Sequence, residues 1–216
     1  LQFVRPSDPE GLSPLATAEL TIQTRYARRE KFLSGDFERI SLGSKWPILT
    51  GTATLGIPGL FGSEFNYQRW TLDAEGIQRM GPLGRIEWWS QGGMYTGNAP
   101  VVLTELQPAN ETSLSIFEAF NLLRFMEFAS DKWVRGCAEW HGEGTILGRI
   151  PLIRDLRIRE VVGVKGVYSL WDDRHESIMD MPNTTTGLDK RWYAEGVIGV
   201  ENLFKFMRVD VHCRLT

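Results

Sequence analysis

The chain has 216 residues, a formal net charge of −3, 42% hydrophobic residues and 24% charged residues, which indicates one globular domain and excludes wholesale disorder. Lys and Arg are dispersed, with no basic block longer than residues 28–31, so a nucleic-acid partner is not predicted. No run of 18 apolar residues occurs, so no transmembrane helix is predicted, although peripheral membrane association stays open. Eight Trp, eleven Phe and 22 Gly favour strands and tight turns over a helical bundle.

The first 50 residues are predicted to form an irregular arm and one helix. Proline, aspartate and glycine interrupt residues 1–13, and Ser13-Pro14 is typical of a helix start. Apolar residues then recur at helical spacing, which predicts a helix over residues 14–33. A strand over residues 20–26 stays open as an alternative, because Leu20, Ile22, Thr24 and Tyr26 also alternate.

Residues 51–216 are predicted to form a β-domain. The pattern predicts strands near residues 64–70, 77–80, 84–91 and 101–106, with a hairpin turn at residues 73–76 and a break at Gly92-Gly93. Residues 114–128 differ, because polar residues fall three apart on an otherwise apolar stretch, which predicts an amphipathic helix.

Strands return in the last third and end in a long strand over residues 204–215. There Met207, Val209, Val211 and Cys213 alternate with charged residues, which is typical of a strand with one buried face. Many strands and no βαβ alternation favour an antiparallel β-barrel, because closure removes exposed edges. A barrel of eight strands can hold one small ligand.

No catalytic signature is found. The three histidines are far apart without metal-ligand spacing, and no Gly-x-Ser-x-Gly occurs, so neither a metal nor a catalytic residue is predicted. The two cysteines, Cys137 and Cys213, are predicted to be free buried thiols.

Two residue pairs are candidate ligand-binding groups. Glu139 beside Trp140 would be a proton donor or would hold a cationic ligand if it faced a barrel interior, whereas strand alternation puts Trp140 inside and Glu139 in solvent. Arg191 can grip a carboxylate bidentately while Trp192 stacks on a planar ligand. The alternative for that pair is a surface Arg beside a core Trp.

The C-terminal half resembles the S-type phycobiliprotein lyases. The resemblance rests on Val-Arg-Gly-Cys-Ala-Glu-Trp at residues 134–140, on Gly-Thr-Ile-Leu at 144–147 and on Lys-Arg-Trp-Tyr-Ala at 190–194. It implies a lipocalin-like (calycin) barrel that binds a linear tetrapyrrole, with Glu139, Trp140 and Arg191 lining the cavity. The cofactor would be a bilin or another tetrapyrrole pigment, and the location a plastid or the cyanobacterial cytoplasm, at the thylakoid.

The same comparison shows a departure from the family. The family begins with Trp-x-Ser-Gln-Arg and paired histidines, whereas the nearest stretch here, at residues 89–93, has glycines instead. We therefore expect a non-catalytic binding or scaffold protein that contacts the pigment-binding proteins of a photosynthetic light-harvesting assembly. A bilin lyase that attaches the pigment to a phycobiliprotein cysteine is the first alternative. A barrel isomerase or cyclase acting on an apolar metabolite is the second.

Overall fold

A computed structural model describes residues 15–35, 38–112, 114–175, 178 and 182–216. It confirms a mainly β fold with antiparallel sheets. The predicted arm over residues 1–13 lies outside the described residues. None of the helices in the described part of the chain is long and apolar enough to cross a membrane.

Strands account for most of the regular structure. In chain order they are β1 (Glu19–Ala27), β2 (Phe32–Ser34), β3 (Arg39–Ser41), β4 (Ile48–Gly56), β5 (Asn66–Arg79), β6 (Arg85–Asn98), β7 (Glu105–Leu106), β8 (Phe128–Ser130), β9 (Lys132–His141), β10 (Arg159–Leu170), β11 (Thr186–Gly187), β12 (Arg191–Leu203) and β13 (Met207–Arg214). Among the described residues, helical structure is limited to one α-turn, α1 (Pro151–Arg154), and 3₁₀ turns at Leu60–Gly62, Gly81–Leu83, Val101–Leu103, Leu147–Arg149 and Asp173–His175.

Eight of the described strands form one sheet in the order β1-β4-β5-β6-β9-β10-β12-β13. Every pairing in it is antiparallel, so the strands run up and down as a meander. β1 and β13 are its two edges, and among the described residues they do not pair with each other. The closed barrel that the sequence predicts is therefore not formed by these strands alone.

The helix predicted over residues 14–33 is wrong, and the alternative strand describes its centre. β1 pairs along its whole length with β4, from Glu19 opposite Gly56 to Ala27 opposite Ile48. This ladder satisfies the backbone of β1 and sends alternate side chains to opposite faces. The helical spacing of the apolar residues is a coincidence of a strand with one apolar face.

The amphipathic helix predicted over residues 114–128 is also wrong. The described residues there form turns and a single bridge between Ala109 and Phe120. Met126 has a φ of 57°, which a right-handed helix does not allow. Distant side chains hold the backbone of this stretch, so tertiary contacts decide its conformation.

Two predicted interruptions, at residues 73–76 and at Gly92-Gly93, are wrong because β5 and β6 run straight through them. Asp73 lies mid-strand and accepts a hydrogen bond from Gln91. A Cβ at Gly93 would collide with the indole of Trp133, so this glycine makes room for a ring on the neighbouring strand and does not end its own.

A hydrophobic core lies on one side of the sheet, at the end where β5 begins. Its buried aromatic residues pack against one another, including Tyr95 with Trp133 at 5.8 Å and Phe120 edge-on to Tyr193 at 5.4 Å between ring centroids. The cluster joins the sheet to the segment between β6 and β9. It consists of Phe65, Tyr67, Tyr95, Ala99, Phe120, Leu123, Trp133, Val167, Leu188 and Tyr193.

Candidate functional site

One face of the eight-stranded sheet, here called the outer face, is apolar and uncovered. Strand alternation places large hydrophobic side chains on it from all eight strands, and they are exposed. They are Leu20, Ile22, Tyr26, Leu49, Trp70, Leu72, Met94, Val134, Val162, Val164, Tyr168, Trp192, Ile198, Val209 and Val211. Between them lie glycine and alanine, such as Gly92 and Ala138. An uncovered face of this composition is unusual for a protein in water.

Aromatic residues of the outer face cluster towards both ends of the strands. Trp70, Tyr168 and Trp192 lie near one end, and Tyr168 pairs directly with Trp192. Trp88 and Trp140 lie towards the opposite end. Trp88 lies opposite Gly76, which is six residues along β5 from Trp70. Trp140 lies opposite Val162, which is six residues along β10 from Tyr168. Six residues of a strand span about 20 Å, so this distance separates the two groups.

The opposite face, here called the inner face, carries the aromatic core at one end and mostly polar side chains elsewhere. On β1, β4 and β5 it carries half-buried or exposed hydroxyl, amide and charged side chains in cross-strand rows. One row joins Gln23, Thr52 and Thr71, and the next joins Arg25, Thr50 and Asp73. All of these residues except Arg25 line a concave groove of about 540 Å³. The sheet thus has apolar residues outside along every strand, and inside it has polar residues beside the buried aromatic core.

On β10 and β12 the inner face is covered by residues 99–112 and 114–131, which we call the inner segment. The buried carboxylate of Glu195 accepts hydrogen bonds from the backbone amides of Asn121 (2.9 Å) and Leu122 (2.8 Å). The ammonium group of Lys165 donates to the carbonyl oxygens of Ile116 and Ala119. Burial lowers the pKa of Lys165, while nearby carboxylates oppose the shift. Strands β10 and β12 therefore hold the inner segment through charged side chains that bind the backbone of the segment.

A second buried ionic network ties the inner segment to β5 and β9. Glu105 binds Arg135 at 2.8 Å and Arg69 at 2.7 Å, one cation on each carboxylate oxygen. Arg135 also donates to Gln107 and lies 5.6 Å from the ring centroid of Trp89. Burial lowers the pKa of Arg135, which the carboxylate of Glu105 partly offsets. Two cations that share one carboxylate fix this end of the segment firmly.

A third buried group joins Asp131, Arg174 and His175. Both the guanidinium of Arg174 and the ring of His175 reach the same carboxylate oxygen at 2.8 Å, and the other ring nitrogen of His175 lies 2.8 Å from the carbonyl oxygen of Ala99. Burial works against ionisation of Asp131, but the hydrogen bonds outweigh it and hold its pKa below the usual range. The carboxylate is therefore charged at neutral pH and connects the sheet to the turn after β10.

The structure separates the predicted site residues. Glu139 faces inwards, is 2% exposed and binds Arg208 at 3.0 Å. Trp140 faces outwards and donates to the carbonyl oxygen of Leu83. Strand alternation predicted the opposite arrangement, with Trp140 inside and Glu139 in solvent.

The other predicted pair lies elsewhere on the sheet. Arg191 is exposed at the start of β12, and Trp192 is 67% exposed on the outer face. Glu139 lies in register with Val197, six residues from Arg191, or about 20 Å along the strand. The four residues therefore do not line one cavity in this structure.

Both thiols are free. Cys137 is buried on the inner face as predicted, and burial raises its pKa to about 12. Cys213 is exposed, so the prediction of a buried thiol is wrong there. No group of His, Cys, Asp and Glu in the described part of the chain has the geometry to hold a metal ion.

Sequence reasoning missed the groups that hold the inner segment, above all Lys165 and Glu195. Lys165 lies in a run of valine and glycine, and Glu195 follows Tyr-Ala, so each is a charged residue at an inward position of a strand. A charged residue at an inward strand position is a pattern that can be recognised in the sequence and indicates a buried ionic contact. Their backbone partners, about 46 to 74 residues away, leave no mark in the sequence.

Comparison with known families identifies the chain. Residues 6–175 match the C-terminal domain of a family of unknown function, DUF5686. The match covers most of the chain, so the protein belongs to this family. No curated protein matches it.

Proposed function

We propose that this chain is a section of the wall of a membrane-embedded β-sheet protein, with its outer face against lipid and its inner face towards a polar interior. The observation that carries the proposal is the reversed polarity of the sheet. In water, a strand with one polar face turns that face to the solvent and buries the apolar one. Here Val211 is 69% exposed, while Lys165 and Glu195 on the inner face are 2% and 1% exposed.

The size of the apolar surface supports lipid as its partner. With about 200 Å² for a large side chain, the fifteen outward residues expose roughly 1,500 Å². Soluble monomers rarely expose more than a few hundred Å² in one patch. The surface also extends across every strand of the sheet and is about twice the roughly 800 Å² that a standard-size interface buries on one protein partner.

The dimensions agree with a bilayer. Strands of 8 to 14 residues suit tilted spans, which need about 9–11 residues. The aromatic groups near the two strand ends match the girdles found at both membrane interfaces. Small residues between the large ones leave a smooth surface for acyl chains.

A bilayer also requires that the strand edges be paired, since an unpaired backbone group in hydrocarbon costs several kcal/mol. The proposal therefore includes a closed barrel of the membrane type in place of a lipocalin. A barrel of eight strands has room for side chains or one small ligand, but not for a folded segment. The inner segment needs more space, so the closed wall contains further strands that pair with β1 and β13.

The proposed wall is a structural role. The non-catalytic scaffold role, the pigment ligand, the photosynthetic partners and the thylakoid location stay predictions. A bilin lyase is less favoured, because Glu139 and Arg191 lie far apart and Trp192 faces outwards.

Quenching of tryptophan fluorescence by brominated lipid tests the proposal. Bromine on an acyl chain quenches only indoles that contact the hydrocarbon region. We expect the full-length protein in brominated phosphatidylcholine vesicles to lose much of its emission through the outward indoles of Trp70, Trp88, Trp140 and Trp192. Phe at these four positions removes most of the quenchable fraction, whereas Trp133→Phe, a change of a core indole, leaves it unchanged. Equal emission in brominated and ordinary lipid would overturn the proposal.

A further inference from the structure

The inner face is divided into two unlike halves. On β10 and β12 the inner segment covers it and satisfies buried charges such as Lys165 and Glu195. On β1, β4 and β5 most of the inner face is half-buried or exposed and lines the groove of about 540 Å³, in which only Ile48 and Thr54 of these three strands are buried. A polar surface therefore remains open beside the segment.

The groove runs the length of the sheet. Its lining extends from Glu19, at the start of β1, to Ile48, opposite the end of β1. Eight residues of β1 separate these levels, or about 27 Å, close to the thickness of a hydrocarbon core. At the end near Ile48 the groove meets a larger cavity of about 1600 Å³. Ile48, Glu75 and Trp89 line both the groove and this cavity.

Neutral hydrogen-bonding groups occupy the middle of the groove. Gln23, Thr52 and Thr71 form one row, with neighbours about 5 Å apart. None of the three side chains makes a hydrogen bond or ion pair within the described residues, so their donors and acceptors face the groove or solvent. In the next row, Thr50 and Asp73 line the groove, whereas Arg25 binds Glu30 and lies outside the lining. The middle row itself carries no charge, so it offers a solute hydrogen bonds and no ion pair.

We propose that this groove is a water-filled path through the interior of the wall, and that it admits small neutral polyhydroxylated solutes. The path rests on the proposed function, which supplies the rest of the enclosing wall. Hydroxyl and amide groups can exchange hydrogen bonds with a sugar as readily as with water, so a solute loses little on entry. Thr52 lies at the midpoint of the path.

Swelling of proteoliposomes in isosmotic arabinose tests the path. The full-length protein is incorporated into vesicles, and flotation confirms that it is embedded. Thr52→Trp places an indole across the groove, whereas Ala53→Trp places the same ring on the outer face of the same strand. We expect arabinose swelling to fall at least fivefold in the first variant and to stay unchanged in the second.

A labelling experiment covers the case in which Thr52→Trp does not fold. In a background with serine at both native cysteines, Thr52→Cys should react with a membrane-impermeant maleimide, and Ala53→Cys should not. Embedded wild-type protein that gives no swelling, or a Thr52→Cys variant that does not react with the reagent, overturns the path while leaving the membrane wall intact. Protein that does not float with the vesicles overturns the proposed function and the path together.

Discussion

A charge placed in the middle of the outer face gives the sharpest energetic test. Leu72 is 59% exposed, is the seventh of fourteen residues of β5, and lies between Gly51 and Gly92 on the neighbouring strands. In a bilayer, Leu72→Arg moves a guanidinium to the midplane, which costs about 2–4 kcal/mol. On a protein surface in water, the same change would stay within about 0.5 kcal/mol. The two environments therefore predict clearly different results.

The measurement is the free energy of unfolding by urea in phosphatidylcholine vesicles, followed by tryptophan fluorescence. The matched control is Thr71→Arg, which puts the same charge one residue away on the inner face, between Arg69 and Asp73. We expect the control to lose less than about 1 kcal/mol, because water or Asp73 can solvate the new cation. Equal losses in the two variants, or none at Leu72, would refute the assignment of the outer face to lipid.

Three further predictions concern the interior. Glu195→Gln weakens two charge-assisted hydrogen bonds to the inner segment and should lower the free energy of unfolding by about 2 kcal/mol, with faster hydrogen exchange confined to that segment. Exchange unchanged in the segment would contradict this role. The pKa of Asp131 is depressed in the folded state by His175 and Arg174, so the stability it contributes is present above its unfolded pKa of about 3.9 and is lost as the pH falls towards the folded value. Urea titrations between pH 7 and pH 3 should therefore show the gap between wild type and Asp131→Asn closing below about pH 4, and a constant gap would count against it. Cys137, whose pKa is raised to about 12, should resist iodoacetamide at pH 8 until urea unfolds the protein; mass spectrometry that finds it labelled in the native state would show that the inner face is open there.

The sequence contains most of the information about the strands. In β13 the alternation of Met207, Val209 and Val211 with charged residues predicts a strand, and the structure has that strand. The error lies in the direction, because the apolar residues are predicted to be buried and are exposed. Periodicity identifies two faces of a strand, but it does not say which solvent each face meets. That depends on whether the surroundings are water or hydrocarbon.

The candidate site is less predictable. Glu139 is a candidate because of its neighbour Trp140, yet its partner is Arg208, which is 69 residues away. The local pattern of the inner segment predicts an amphipathic helix, whereas its conformation is set by side chains of β10 and β12. Long-range contacts of this kind override local propensity and are not visible in a single sequence.

The inner segment also constrains the order in which the chain can fold. Its anchors come later in the sequence: Lys165 follows Ala119 by 46 residues, and Glu195 follows Asn121 by 74. Closing loops of that length is slow compared with forming adjacent hairpins. The middle of the segment, around residues 116–122, emerges from synthesis long before Lys165 and Glu195 can hold it, although Glu105 can already bind Arg69 and Arg135. The last strands to pair thus fix the middle of the segment, and a chain interrupted before Glu195 would lack the carboxylate that binds Asn121 and Leu122.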